Sequence, residues 1–248
     1  MSIVINDLTF SYQPKEKEAA PLFEGLNFTV NQGELLAILG PSGCGKSSLI
    51  KLMAGFLTPL EGTILFNGQA VEKPYGEGQM VFQDSHQLYP WLSIRDNISF
   101  PNKGKKGDSQ KVDSLLAAVG LENRADFFPG ELSGGMRQRC ALARALYYNP
   151  KLIFMDEPFV SLDAPSRHRL QDLVRDLWKE WGITVIFVTH DIEEALYLSD
   201  RILLMKDRGG IALSQDNPLS LPRDRWGEMF LKEVSRFHSL VESVGESW

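Results

Sequence analysis

Cysteine is scarce in this sequence of 248 residues, where Cys44 and Cys140 are the only two. Their separation along the chain matches no common metal-ligand spacing. Two thiols also cannot build the dense disulfide framework of small secreted domains. We therefore expect the protein to work in a reducing compartment.

Long apolar runs are also missing. No stretch approaches the roughly 20 apolar residues that span a bilayer, and the N-terminus lacks the basic start and apolar centre of a signal peptide. We expect a cytoplasmic protein that meets a membrane only through a partner.

An excess of positive charge is absent as well, since 26 Lys and Arg stand against 32 Asp and Glu, giving a formal net charge of −6. General electrostatic attraction to nucleic acid or anionic lipid is therefore not expected. Any phosphate binding must be local. The hydrophobic share of 43% is ordinary for a globular protein, and the chain is long enough to bury a sizeable core.

A glycine-rich stretch organises the rest of the chain. It consists of Gly40, Pro41, Ser42, Gly43, Cys44, Gly45, Lys46, Ser47 and Ser48. An apolar strand is predicted at 35–39 and a helix at 48–54, so the glycines fall at a strand-to-helix turn. Backbone N–H groups of such a turn bind phosphate oxygens, Lys46 would reach the β- and γ-phosphates, and the Ser47 hydroxyl would hold Mg²⁺.

The hydrophobic pattern predicts an α/β fold with one inserted helical part. Strands are predicted at 3–12, 26–30, 62–68, 80–82, 152–155, 183–188 and 201–205. Helices are predicted at 94–100, 112–119, 134–148, 170–181 and 191–198, with an amphipathic helix after Trp226. Polar loops are predicted at 13–18 and 101–108. We assign 1–85 and 151–248 to one α/β core, with an antiparallel sheet near its N-terminus, and 86–150 to a helical insertion that begins at His86.

Polar residues follow three of these apolar strands. Asp156 and Glu157 come after 152–155, His190 after 183–188, and Gln83 after 80–82. Ligands of α/β sheets bind at the carboxyl ends of the strands, so we expect these side chains at one edge of the sheet. The sequence Ser133-Gly134-Gly135 opens another predicted helix, which makes a second anion-binding N-terminus.

Two residues near the glycine-rich stretch have alternative interpretations. Tyr12 ends the first strand, where a half-buried packing role is more common than stacking on a base. Cys44 lies within the phosphate loop, where its simplest role is that of a small residue that fits. Because its neighbours would pack against the nucleotide, we expect maleimide modification to block nucleotide binding and bound nucleotide to slow the labelling.

Together these motifs resemble the ATP-binding subunit of an ABC transporter over nearly the full chain. The matching segments are 40–47 (Walker A), Gln83 (Q-loop), 132–136 (signature), 152–156 (Walker B), Glu157 (catalytic glutamate), 161–163 (D-loop) and His190 (switch histidine). The resemblance also makes adenine stacking the favoured role of Tyr12. The fold it implies is a P-loop NTPase (RecA-like) core with an antiparallel β subdomain and an inserted helical subdomain.

The resemblance implies ATP and Mg²⁺ as ligands and a head-to-tail homodimer. Ser133, Gly134 and Gly135 would then bind the γ-phosphate held by the phosphate loop of the other copy, and Asp163 of the D-loop would also belong to the nucleotide-binding residues. Ser47, Gln83 and Asp156 would hold Mg²⁺, Glu157 would polarise the attacking water, and His190 would orient it. The signature departs from the family pattern at Met136, where glutamine is usual and a polar contact across the dimer is lost.

The stretch 88–98 and the signature are similar to those of importers of nitrate, sulfonate and taurine. Such importers imply a separate membrane permease, docked here near Leu88, Tyr89 and Trp91, an external solute-binding protein, and a place at the cytoplasmic face of the membrane. For Trp91 the alternative is packing within its own chain. For the whole chain the alternatives are a soluble ABC ATPase that is not coupled to transport and a subunit without turnover.

Overall fold

The computed structural model describes residues 2–12, 20–83, 87–100 and 109–244. Its strands are β1 (Ser2–Phe10), β2 (Phe23–Asn31), β3 (Leu35–Leu39), β4 (Glu61–Phe66), β5 (Gln69–Ala70), β6 (Gly78–Val81), β7 (Leu152–Asp156), β8 (Thr184–Thr189), β9 (Arg201–Met205) and β10 (Ile211–Asp216). Its α-helices are α1 (Lys46–Met53), α2 (Ile94–Ser99), α3 (Ser109–Ala118), α4 (Gly134–Tyr147), α5 (Ala164–Trp181), α6 (Ile192–Leu198) and α7 (Glu228–Val244). The predicted loops 13–18 and 101–108, and His86, lie outside the described residues.

The chain divides into two compact units. The first unit comprises Met1–Tyr75 and Ile183–Trp248, and the second comprises Gly76–Gly182. The division into a core of 1–85 and 151–248 and a helical part of 86–150 stays a prediction. Among the described residues of 86–150, the α-helices are α2, α3 and α4.

In the first unit, β1 and β4 are the inner strands of an antiparallel sheet in the order β2-β1-β4-β5. The side chains of Ile3 and Ile5 alternate inward and are 2% and 1% exposed, as expected for a sheet with one covered face. β2 begins at Phe23, earlier than predicted, because Phe23 pairs with Phe10 of β1.

The second set of strands in this unit centres on β3, which lies parallel to both β8 and β9. All five β3 residues are buried, which is typical of a parallel strand covered on both faces. β10 pairs antiparallel with β9 and was not predicted. Its residues are half-buried or exposed, so it lacks the apolar run that marked the other strands.

In the second unit, β6 and β7 form a parallel pair, with Val81 in register with Met155. α4 packs against β6, α2, α3 and α5. Polar residues cap the helices, since the side chains of Ser93, Ser133 and Asp163 accept backbone N–H bonds at the starts of α2, α4 and α5. These caps set where each helix begins.

The predicted α/β class, with an antiparallel and a parallel part, is confirmed. Within the described ranges, no helix has the length and apolar character needed to cross a bilayer.

Candidate active site

The glycine-rich stretch forms the turn between β3 and α1 in the first unit. Gly45 stands at the N-cap of α1 with a φ of 103°, in the left-handed region that other residues avoid. A Cβ atom on Gly45 would lie 2.8 Å from the Phe23 ring, so the close packing of β2 also requires glycine. The loop leads directly into the N-terminus of α1, a helix of eight residues. The partial positive charge of that N-terminus favours an anion at the loop.

Lys46 is a buried cation, with a side chain that is only 4% exposed. Its Nζ donates to the carbonyl oxygens of Gly40 and Pro41, each at 2.8 Å. An ammonium has three donors, so a third N–H is available for a further acceptor such as a phosphate oxygen. Lys46 thus cross-links the loop through the Gly40 and Pro41 carbonyls, and its ammonium places a positive charge at the loop.

Cys44 faces the interior, with a fully buried side chain. A Cβ atom on Gly40 would lie 2.9 Å from its Sγ, so the thiol fills the space under the loop. Burial raises the pKa of this thiol, against a smaller lowering by Lys46. The expectation that thiol modification of Cys44 blocks nucleotide binding stays a prediction. Because the thiol is buried and its pKa is raised, we expect the modification itself to be slow.

His190 directly follows β8, just as Gly40 of the phosphate loop directly follows β3. Leu39 pairs with Thr189 in the parallel ladder, so Gly40 and His190 leave neighbouring strands at the same height. The imidazole is exposed.

Two residues beside His190 hold its backbone. Thr189 Oγ1 donates to Glu194 Oε2 at 2.6 Å and accepts from the N–H of Asp191 at 3.0 Å. Both Thr189 and Glu194 are buried, at 1% and 5% exposure. Asp191 then caps α6 by accepting from the N–H groups of Glu193 and Glu194. The turn that carries His190 is therefore held from both sides.

Tyr12 is not the half-buried packing residue that the residues alone favoured, since its side chain is 63% exposed. Its ring meets Phe10 edge-on, with centroids 4.9 Å apart. Its hydroxyl hydrogen-bonds to Ser48 Oγ at 2.8 Å, so the ring is held beside the first turn of α1. Stacking on a base stays a prediction.

In the second unit, Gln83 and Glu157 meet. Val81 and Met155 pair in the parallel ladder, and Gln83 and Glu157 each lie two residues after them along the chain. Gln83 Nε2 donates to Glu157 Oε2 at 3.4 Å. Asp156 ends β7 with 5% exposure. Glu157 has a φ of 43°, a left-handed conformation that is uncommon for a residue with a Cβ. Such strain concentrates at functional sites.

The signature residues open α4. Ser133 is the N-cap and its Oγ accepts from the Met136 N–H at 3.3 Å, which leaves the hydroxyl proton free to donate. A Cβ atom on Gly135 would lie 3.1 Å from Ser166 Cβ, so α5 packs closely there. Gly134 and Ser133 remain at least partly accessible at the start of a 14-residue helix.

Asp163 has a structural task in addition to the predicted one. Its carboxylate caps α5 by accepting from the Ser166 N–H at 3.3 Å. Hydrogen bonding from Ser166 lowers the pKa of this exposed carboxyl. Its role toward a nucleotide stays a prediction.

The residues 88–92 alternate between the interior and the surface. Leu88 and Leu92 are buried, at 3% and 8% exposure, whereas Trp91 is 70% exposed. The prediction that Leu88 contacts a partner is therefore wrong, because its side chain belongs to the core of the second unit.

Asn97 organises this segment from inside the protein. It is fully buried, accepts from the Tyr89 N–H at 2.8 Å, and donates to the carbonyl oxygens of Tyr89, Leu92 and Ser93. Tyr89 is half-buried and lines a cavity of about 360 Å³. The other lining residues are Gln79, Met80, Phe100, Ala141, Arg144, Ala145 and Tyr148.

The predicted site residues thus fall into two sets. Tyr12, the phosphate loop with Lys46, Ser47 and Ser48, and His190 lie in the first unit. Gln83, Asp156, Glu157, Ser133, Gly134, Gly135 and Asp163 lie in the second. From the sequence alone, no role is assigned to Thr189, Glu194 or Asn97. Each is a polar residue among apolar neighbours, in or just before a helix with a capped start, and this pattern could have indicated a structural role.

A family model described as "ABC transporter" matches residues 23–160, more than half of the chain. This chain belongs to the ABC transporter family. The family activity is ATP hydrolysis coupled to transport, so the chain is an ATPase. The predicted P-loop NTPase fold is confirmed by the solved structures below.

Among curated proteins, the chain is 39% identical over 232 residues to the aliphatic sulfonates import ATP-binding protein SsuB of Bacillus thuringiensis subsp. konkukian, covering 93% of this chain and 92% of the relative. It is 42% identical over 212 residues to the taurine import ATP-binding protein TauB of Pelagibacter ubique, covering 84% and 80%. The predicted likeness to sulfonate and taurine importers is confirmed.

Among solved structures, cbiO1 of Clostridium perfringens, part of an ABC transporter complex, superposes with a TM-score of 0.78 at 30% identity, covering 96% of this chain and 94% of that one. A dimeric ATP-binding cassette in a post-hydrolysis state, bound to ADP and phosphate, has a TM-score of 0.75 at 27% identity, covering 88% and 100%.

Proposed function

We propose that this chain is the ATP-hydrolysing subunit of an importer, which energises passage of a small solute through a separate membrane permease. The observation that carries the proposal is Glu157, which is held in a strained conformation directly after the buried Asp156 and against Gln83. The names of the curated relatives support import, and make sulfonates the first solutes to test.

The oxygen donors suit Mg²⁺, which binds carboxylates and hydroxyls in preference to nitrogen or sulfur. Asp156 offers a carboxylate and Ser47 a hydroxyl. The amide nitrogen of Gln83 faces Glu157, so its amide oxygen is free to turn toward a cation. When bound, Mg²⁺ neutralises charge on the phosphates.

The residues of the chain take distinct roles in hydrolysis. The phosphate loop binds the β- and γ-phosphates through its N–H groups, and Lys46 adds the third donor of its ammonium. Glu157 orients the attacking water and accepts its proton. His190 stabilises the γ-phosphate from the turn that Thr189 and Glu194 hold.

Two copies would close head to tail on two ATP molecules. The support is the second anion-binding helix start, in which Ser133 keeps a free hydroxyl proton and α4 supplies an N-terminus. A site of this kind is redundant within one chain that already carries a phosphate loop. It has a purpose when the phosphate comes from the partner copy.

Glu157→Gln tests hydrolysis and dimer closure together. We expect hydrolysis to fall by about 10²–10⁴-fold, since the amide cannot accept the proton, while ATP binding persists. The ATP-bound variant should elute as a dimer in size-exclusion chromatography. Glu122→Gln, at an exposed position of the same unit, is the matched control and should behave as the unmodified chain. A Glu157→Gln variant that is saturated with ATP yet monomeric contradicts the head-to-tail dimer.

The permease would dock on the surface formed by Tyr89 and Trp91, which places the subunit at the cytoplasmic face of the membrane. A 70% exposed tryptophan beside a partly apolar cavity is costly in water and suits a partner helix. Asn97 makes the surface rigid by holding the backbone on four hydrogen bonds. An external solute-binding protein would contact the permease alone.

The docking test uses Tyr89→Ala with Trp91→Ala in a tagged chain purified from gently solubilised membranes of the source cells. We expect the co-purifying membrane protein and sulfonate uptake to be lost, while ATP binding and the melting temperature stay unchanged. Trp181→Ala, at a 39% exposed tryptophan of α5, is the control. Unfolding of the double variant would assign these residues to the core instead. Capture of ribosomes or no membrane protein by the unmodified chain would favour a soluble ABC ATPase.

A further inference from the structure

The backbone of Phe82, directly before Gln83, is held by a side chain from further along the chain. The Phe82 N–H donates to Gln87 Oε1 at 3.2 Å, and Gln87 Nε2 returns a hydrogen bond to the Phe82 carbonyl oxygen at 3.0 Å. The Gln87 amide therefore pairs with both backbone polar groups of Phe82. A displacement of Phe82 would carry Gln83 with it, because the two residues share a peptide bond.

A second amide reaches the same carbonyl from the signature helix. Gln138 Nε2 donates to the Phe82 oxygen at 3.2 Å, and its side chain is only 2% exposed. Gln138 lies in the second turn of α4, and Ser133 caps that helix. A helix is stiff over so short a distance, so a shift of its N-terminus is transmitted to Gln138 with little loss. A buried amide that lost its acceptor would have no water to replace it.

The network continues to the cavity beside Tyr89. Arg144, further along α4, donates through NH1 to the carbonyl oxygen of Gln87 at 2.8 Å. Its guanidinium lies 5.7 Å from the centroid of the Tyr89 ring, and both residues line the cavity. α4 thus holds Gln87 and Phe82 at two points, through Gln138 and through Arg144.

We propose that Gln138 and Gln87 are positioning residues that make the signature helix and Gln83 move as one body. The inference rests on the proposed function, in which Gln83 acts at the γ-phosphate and the signature binds ATP of the partner copy. Closure on the partner displaces α4, Gln138 pulls on the Phe82 carbonyl, and Gln83 adjusts against Glu157. Neither glutamine is among the residues assigned to nucleotide binding.

The test is the kinetics of ATP hydrolysis by the full chain carrying Gln138→Met, which keeps the volume and removes the hydrogen bond. We expect kcat to fall at least about tenfold with KM for ATP within about twofold, since alignment is lost but the phosphate loop is intact. Arg139→Met is the matched control. Arg139 is the next residue of the same helix and donates instead to the carbonyl oxygens of Val119 and Gly120, so its kcat should stay within about twofold.

Gln87→Met and the double variant separate positioning from simple stabilisation. Gln87 is half-buried, so its replacement tests the network even where Gln138→Met does not fold. If the two glutamines act as one unit, the double variant is about as slow as the slower single variant. Fully multiplicative losses, or a kcat for Gln138→Met equal to that of Arg139→Met, would overturn the proposal.

Glu157→Gln, assayed in parallel, distinguishes this inference from the proposed function. If Glu157→Gln abolishes hydrolysis and Gln138→Met does not slow it, only the positioning role fails. If Glu157→Gln hydrolyses ATP normally, the assignment of the active site fails first.

Discussion

The two units of the chain hold their candidate site residues in different ways. In the first unit, the phosphate loop is set by buried main-chain contacts, with Lys46 bonded to two loop carbonyls and His190 on a turn fixed by Thr189 and Glu194. In the second unit, Glu157 adopts a strained φ of 43° and its hydrogen bond to Gln83 is long, at 3.4 Å. If the proposed roles hold, ATP binds to a preformed loop, whereas hydrolysis uses side chains that are joined by one long hydrogen bond.

The strain at Glu157 sharpens this contrast. A non-glycine residue in the left-handed region costs about 1–3 kcal/mol, and such a cost persists only where the surrounding structure imposes it. β7 is buried at all five positions and pairs with β6, which fixes the direction in which the chain leaves the strand. The second unit thus stores strain at Glu157, the proposed base.

Lys46→Ala should have the largest effect, because it removes the charge at the centre of the preformed cradle. We expect ATP affinity to fall by about 10- to 100-fold, the usual worth of a hydrogen bond to a charged group, and hydrolysis to fall to background. Lys51→Ala, in the last turn of the same helix, is the control. Isothermal titration with ATP decides it. Unchanged affinity would mean that the loop backbone alone binds the phosphates.

Thr189→Val should have an intermediate effect, because it removes the hydroxyl that holds the turn before His190. We expect kcat to fall about tenfold, as for loss of one buried hydrogen bond, with ATP affinity unchanged. Thr189→Ser keeps the hydroxyl and should restore most of the rate.

Glu194 and Glu193 supply a matched pair for the same turn. Glu194→Gln alters the buried acceptor of Thr189, whereas Glu193→Gln alters an exposed neighbour. Steady-state kinetics on the two variants should show a loss for Glu194→Gln only. Equal rates for both would assign Thr189 and Glu194 to packing.

Labelling of the two cysteine thiols should show the smallest effect of nucleotide. Cys44 lies in the first unit and Cys140 in the second, so each thiol reports on its own unit. Burial raises the pKa of Cys44 above its usual value and raises that of Cys140 to about 12. Since the thiolate is the reactive form, both should react slowly with maleimide at pH 8 and faster as pH rises. In the Cys140→Ser variant, labelling reports Cys44 alone, and bound ATP should slow it further. Rapid labelling of the native chain would show that the loop opens without nucleotide.

The motifs could be predicted from the sequence because each has a local cause. A glycine-rich turn between an apolar strand and a helix, carboxylates after a buried strand, and a serine that opens a helix all follow from short-range chemistry. The positions of Lys46, Glu157, His190 and Ser133 at element ends were predicted for this reason. β10 escaped prediction because its pairing with β9, and not an apolar run, makes it a strand.

The sequence by itself determined the order of the elements that have an apolar pattern, the family resemblance and the choice of candidate site residues, since these depend on residue type and spacing. Only the tertiary structure decided which side chains face inward. In the folded chain the side chains of Cys44 and Leu88 are buried, and those of Tyr12 and Trp91 are exposed. Gln138 donates a hydrogen bond to Phe82, which lies 56 residues earlier in the chain. These outcomes depend on contacts between distant segments, and the packing that selects them is not encoded in any short stretch of the chain.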